Sequence, residues 1–332
     1  MTHALPAPPR SPSLATPLAL AVLAGACAPD FADLVPRTVD EDPSLPALEL
    51  AGTRLHLATY GAPTRGVVIG LHGGPGGDHR SLASLATLAD DGYLVVLWDQ
   101  RGAGLSRRHA CEDVTARQYL RDLEAVVDRF APAGAAPLFF VGHSWGAMYA
   151  TWYVNEHPER ARGAVLLEPG GLTSGEVAEF FGRLLERAAF SEEMNDSLWM
   201  SGLLTPDSHA RADLQAAGQF AAASEALGMS QAEPAPFWRA GGIAARCLPA
   251  SQRDFDWTTR LTEFPHEVLF LTGDRNQVLR YDHVRARAAH YPRARITVIP
   301  GVGHDLHWAA RERFLGLTRE YLAEQVAAGG GR

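Results

Sequence analysis

From Leu48 onward, short apolar runs of the kind that fill buried strands alternate with longer stretches of helical spacing, and this alternation restricts the fold more than any other feature. "LELAGTRLHLATYG" reads as a hairpin and "VVIGL" as a buried strand. "SLASLATLADDG" carries apolar residues at helical spacing and stops at Gly92, and "YLVVLWD" is the next strand. The pattern continues with a helix in "ARQYLRDLEAVVDRFA", a strand in "LFFV", a helix in "AMYATWYVNEHP" and a strand in "GAVLL". Near the end "VLFLT" and "RITVI" flank the helical "YDHVRARAAHYP". Strands alternating with helices predict a mostly parallel sheet covered on both faces, an α/β class. Between residues 171 and 264 the alternation stops, and "GEVAEFFGRLLERAAF" and "SHARADLQAAGQFAAASEALG" read as helices of a lid over the strand C-terminal ends. The expected organisation is a core over 48–170 and 265–326, the lid over 171–264, and a disordered tail over 327–332.

At the N-terminus Arg10 is the only charged residue before an apolar run from Leu18 to Ala28. That run is shorter than the ~20 apolar residues needed to span a bilayer. Ala24, Gly25 and Ala26 lead into Cys27, an arrangement that resembles a bacterial lipoprotein signal in which Cys27 is lipidated. The expectation is a signal over 1–27 and a tether or surface wrap over 28–47, in an exported, lipid-anchored protein. A cleaved soluble export signal and a mere floppy leader are the alternatives. The remaining cysteines, Cys111 and Cys247, are an even pair suited to a disulfide in an oxidising compartment, with two separate buried thiols as the other reading. The net charge of −8 lacks the basic excess that phosphate backbones require, so nucleic acid is not an expected partner.

Three glycine-rich stretches follow strands. "GHSWG" (Gly142 to Gly146) sits between a strand and a helix, the context in which G-x-S-x-G presents a serine at a strained turn. Ser144 is the expected nucleophile. A serine hydroxyl needs a base oriented by a carboxylate, in the chain order serine, acid, histidine. His304 in "VIPGVGHDLHW" is the expected base, and His307 reads as packing. Two acids are candidates for the orienter: Asp274 after "VLFLTG", which is preferred because its loop should abut the histidine loop, and Glu168 after "AVLL". "HGGPGG" (His72 to Gly77) then supplies an oxyanion loop, its glycines letting backbone approach substrate. Gly74 and Trp145 are the expected N–H donors, with Gly73 as an alternative to Gly74, and His72 anchors the loop.

"HGGPGG", "LWDQRGAGLS" (Leu97 to Ser106) and "GHSWG" together resemble the proline iminopeptidase branch of the α/β-hydrolase superfamily. The resemblance implies an α/β-hydrolase fold with a helical lid, and release of an N-terminal residue, often proline, by Ser144, Asp274 and His304. It implies lid carboxylates that hold the free amine, with Asp99 and Arg101 as structural residues bracing the oxyanion loop. The lid departs from the family: "APFWRAGGIAARC" has Trp238 but no adjacent acid. Trp238 and Glu168 remain as candidate substrate-binding residues, and Glu176, Glu179, Glu192 and Glu193 read as a solvated face. The second functional reading is a carboxylesterase or amidase acting on substrates without a free amine, and a remote third is an inactive binding protein. An epoxide hydrolase or dehalogenase is disfavoured because such relatives carry aspartate at the Ser144 position. No metal-ligand cluster, phosphate loop or nicotinamide fingerprint is present in the sequence, so no metal or cofactor is expected, and no protein partner can be inferred.

Overall fold

The computed structural model describes residues 36–187, 208–224, 226–229 and 239–329. Cys27, Trp238, Glu192 and Glu193 lie outside the described residues. Eight strands form one sheet: β1 (Ala47–Leu50), β2 (Thr53–Tyr60), β3 (Gly66–Leu71), β4 (Tyr93–Trp98), β5 (Leu138–His143), β6 (Ala161–Leu167), β7 (Val268–Gly273) and β8 (Ala294–Ile299). Their order is β1-β2-β4-β3-β5-β6-β7-β8. Only the β1–β2 and β2–β4 pairings are antiparallel. The remaining pairings are parallel, as the strand-helix alternation requires.

The pleat divides each central strand between two cores. Ile69, Val96 and Phe140 face one apolar cluster, whereas Val68, Val95 and Phe139 face the other. A strand buried on both faces reads as a continuous apolar run, which is why "VVIGL" and "LFFV" show no alternation. Each fully buried Val, Ile or Phe contributes roughly 1.5–3 kcal/mol. Helices α1 (Ala116–Phe130) and α2 (Trp145–Glu156) add residues such as Leu123, Val126 and Tyr149 to the first cluster. The tight helical turns over His79–Asp91 and the C-terminal part of the chain close the second.

In the lid region the described helices are α3 (Ser174–Arg187), α4 (Ser208–Ala223) and α5 (Gly242–Ala250). After β7 come α6 (Tyr281–Ala288) and, beyond β8, α7 (Arg311–Gly329), so the expected tail is helical as far as Gly329. The segment before β1 is not a loose tether where it is described. Thr38 and Val39 are buried, Val39 N–H donates to the Leu105 carbonyl at 2.8 Å, and Asp40 pairs with Arg107 at 2.7 Å. Cys111 and Cys247 form a disulfide with a Cα–Cα distance of 5.5 Å, joining the loop before α1 to α5.

Candidate active site

The parallel strands deliver their following loops to one edge of the sheet, and the candidate residues sit in the loops after β3, β5, β6 and β8. Ser144 leaves β5 with φ 53° and ψ −117°, a conformation that ordinary L-residues avoid. Glycines make this turn fit: a Cβ on Gly142 would meet the Gly146 backbone, and one on Gly146 would meet the Leu71 and His72 carbonyls. Ser144 is half-buried between buried neighbours, at the start of α2. Its N–H donates to the Leu167 carbonyl at 2.8 Å, tying the turn to the last residue of β6.

The residue after Leu167 is Glu168, also at positive φ (44°) and fully buried. Its carboxylate accepts four hydrogen bonds. Oε1 receives the Thr272 hydroxyl at 2.9 Å and the Gly273 N–H at 2.8 Å. Oε2 receives the Asn276 side-chain amide at 2.6 Å and lies 2.7 Å from His304 Nδ1. An ionised carboxylate has room for about four such donors, so this buried charge is satisfied in full. With its Nδ1 proton on Glu168, His304 keeps Nε2 as the basic nitrogen.

This geometry corrects the assignment of the orienting acid. Asp274 is exposed, and its carboxylate accepts the Gly301 N–H at 2.7 Å. It holds the start of the histidine loop and not the imidazole. The order of the strands explains why the adjacent-loop argument misled: Glu168 enters from β6 with one methylene more than an aspartate, and the β7 loop supplies donors around it. Both Glu168 oxygens are thus engaged within the chain.

Three imidazoles lie together beneath the site. The His143 ring centroid is 4.5 Å from that of His304 and 4.1 Å from that of His307. His143 Nε2 is 2.8 Å from the His304 carbonyl, to which it donates. Burial, reinforced by the neighbouring imidazoles, holds His143 well below the ordinary histidine range, and burial takes His307 down to about 3. The His304 N–H donates to Leu227 O at 2.9 Å, so the segment after α4 caps the histidine loop.

Gly73 lies against the serine. A Cβ on Gly73 would stand 2.8 Å from His143 Nδ1 and 3.3 Å from Ser144 Cβ, whereas one on Gly74 (φ 129°) would meet the Gly76 and Gly77 nitrogens. His72 anchors this loop. Gln100 N–H donates to His72 Nε2 at 3.1 Å, which leaves the Nδ1 proton to donate to the Gly73 carbonyl at 2.8 Å. Burial lowers His72 to about 4, in keeping with this neutral form. The Gln100 amide donates to the His72 carbonyl at 3.0 Å and accepts from the Trp145 indole at 2.8 Å. Thus Gln100, which the motif reading passed over, connects the loop after β3 to the residue after Ser144.

Arg101 makes a two-point pair with Asp122 of α1, at 2.7 and 2.8 Å, instead of bracing the loop. Asp99 accepts from the Nδ1 atoms of His56 and His79 and from the His79 and Leu105 backbone N–H groups. Although burial opposes its charge, His79 and His56 hold its carboxyl below the usual range. His56, His79 and Asp99 are close enough to share a cation, but these hydrogen bonds already occupy both carboxylate oxygens. Glu176 is likewise not on a solvated face. It accepts the Leu172 N–H at 2.6 Å and sits 3.2 Å from His290 Nε2. Glu179 is half-exposed and pairs with Arg183.

The lid touches the glycine loop directly. Gly241 N–H donates to the Gly76 carbonyl at 2.6 Å, and α5, which follows Gly241, carries Cys247.

A mostly parallel sheet with a strained serine after β5 and a glycine loop after β3 defines the α/β-hydrolase fold. The chain belongs to the serine aminopeptidase S33 family, whose model matches residues 62–310. It is 34% identical over 121 residues to epoxide hydrolase B of Mycobacterium tuberculosis, covering 36% of this chain and 33% of that protein. It is 38% identical over 107 residues to a proline iminopeptidase of Neisseria meningitidis, covering 32% of this chain and 33% of that one. The matches thus span about a third of the length of these curated relatives. The crystal structure of a proline iminopeptidase from Mycobacterium smegmatis superposes with TM-score 0.61 at 21% identity, covering 85% of this chain and 98% of that one.

Proposed function

We propose that the protein is a serine hydrolase working through an acyl-enzyme, with Ser144 as nucleophile, His304 as base and Glu168 as the acid that orients it. The observation that carries this reading is the 2.7 Å contact from His304 Nδ1 to a fully buried, four-donor Glu168, whose preceding residue holds the strained Ser144. Ser144 attacks a carbonyl as His304 Nε2 takes its proton. The oxyanion forms against the backbone of Gly73 and Trp145, the latter at a helix N-terminus that favours negative charge. His304 returns the proton to the leaving group, and water repeats the sequence on the acyl-enzyme.

The proposed substrate is the N-terminal amide of a small peptide, with proline favoured. The family match and the similarity to the Neisseria proline iminopeptidase support this choice. A second reading, an ester or amide without a free amine, is favoured by one observation: Glu168, the acid at the mouth of the sheet, is engaged by His304 and so is not free to bind an amine. Epoxide opening by an aspartyl nucleophile does not fit a serine at position 144. We further propose export and lipid anchoring through Cys27. The Cys111–Cys247 disulfide supports an oxidising compartment.

The test is hydrolysis of proline p-nitroanilide against p-nitrophenyl butyrate by the chain from residue 28 onward, beside its Ser144→Ala variant. Ser144-dependent anilide turnover is the expected outcome. Ester turnover alone would favour the second reading. Turnover of neither, with no labelling of Ser144 by a fluorophosphonate, would leave a binding protein.

A further inference from the structure

We infer that Asn276 is a positioning residue of the reaction: it fixes the Glu168 oxygen that orients His304. This inference rests on the proposed reading of Glu168. Asn276 is 97% buried, and its Nδ2 donates to Glu168 Oε2 at 2.6 Å, the same oxygen that His304 Nδ1 meets at 2.7 Å. Its orientation is not open to choice. Oδ1 accepts the N–H groups of Val278 and Leu279 at 2.9 and 2.8 Å, so a flipped amide would set an NH2 against two donors. The side chain is therefore a rigid bracket with a backbone turn at one end and the catalytic carboxylate at the other.

The bracket matches a need created by the place of the acid. Glu168 reaches the histidine from β6, at positive φ, on a side chain with more rotatable bonds than an aspartate. Thr272 and Gly273 hold Oε1. Without Asn276, Oε2 would keep only the imidazole it is meant to orient. The β7 loop, where Asp274 was expected to supply the acid, supplies instead the donors that hold an acid coming from the neighbouring strand.

The test is Asn276→Asp, which keeps the Oδ1 acceptor for Val278 and Leu279 and changes only the group facing Glu168. Two carboxylates at such a distance cannot both ionise readily, so the pair retains a proton on the acid side and loses it as pH rises. While the proton is present it restores a donor to Oε2. Once it is lost, the repelled carboxylates leave His304 misaligned. The expected result is a variant-to-wild-type ratio of kcat/KM that falls as pH rises, carried by kcat with KM little changed. Circular dichroism over the same pH range reports folding. Asn276→Leu, which removes the donor at every pH, should lower kcat by roughly 10-fold or more. It should add nothing to the loss already caused by Glu168→Gln, because both act through one carboxylate.

A pH-independent ratio for a folded Asn276→Asp protein, or additive losses in the double variant, would overturn the inference while leaving Glu168 in its role. Full activity in Glu168→Gln would overturn the underlying assignment and this inference with it.

Discussion

Glu168 and Asp274 are acids at the ends of adjacent strands, and only their surroundings separate them. The first is fully buried among four donors, and the second is exposed on one backbone N–H. Glu168→Gln removes the acceptor that fixes the imidazole tautomer and should lower kcat by about 10³–10⁴-fold, measured with whichever chromogenic substrate the protein turns over. Asp274→Asn should leave kcat close to that of the wild type. The reverse pattern would restore Asp274 as the orienter. The sequence narrowed the acid to these two residues and no further, because strand ends are visible in an apolar pattern but the direction of a side chain across a neighbouring strand is not. The places of Ser144 and His304 at strand ends were legible for the opposite reason: each is marked by its own glycine-bearing turn. His307 supplies a stability test. Its native pKa is held at about 3 by burial, below the ordinary value of 6.5. Between those values the unfolded chain binds a proton that the native chain does not, so stability falls as pH drops from about 6.5 toward 3. The loss attached to this residue is on the order of a few kcal/mol. A His307→Phe variant should show a shallower decline of the urea midpoint with acidification than the wild type.

At the scale of elements, the loop after β3 and the start of α2 are joined by one side chain. Gln100 takes the Trp145 indole N–H and gives its amide to the His72 carbonyl, while its own N–H fixes the His72 ring. Gln100→Leu should loosen the Gly73 loop relative to Ser144 and lower kcat about 10-fold with KM little changed, read from steady-state kinetics. This link was hidden inside a quoted motif. Of the charged residues on either side of Gln100, Arg101 is engaged by Asp122, while Asp99 holds the ring and N–H of His79, two residues beyond the glycine loop. The elements themselves were legible, since runs buried on both faces, glycine stops and helical spacing are local signals. The lid's contacts were not, because Gly241 meeting Gly76, and Leu227 meeting His304, depend on how distant segments pack.

At the scale of the whole molecule, the Cys111–Cys247 bond joins residues 136 apart and fastens α5, the helix beside Gly241 and the Gly76 carbonyl, to the core. In the chain-entropy account such a bond contributes roughly 3–5 kcal/mol. Cys111→Ser should lower the thermal midpoint, and its activity should decline with temperature before the far-ultraviolet signal does, because the lid contact on the glycine loop is released first. Coincident loss of both would sink that account. The same bond also partitions the chemistry topologically. Ser144 and Glu168 lie within the covalent ring it closes, and His304 lies outside, on the C-terminal arm. On the proposed export reading, a chain threaded from its N-terminus brings both cysteines of the ring into the oxidising compartment before His304. The ring holding nucleophile and acid then stays harmless until the last β-strand and the loop that follows have arrived.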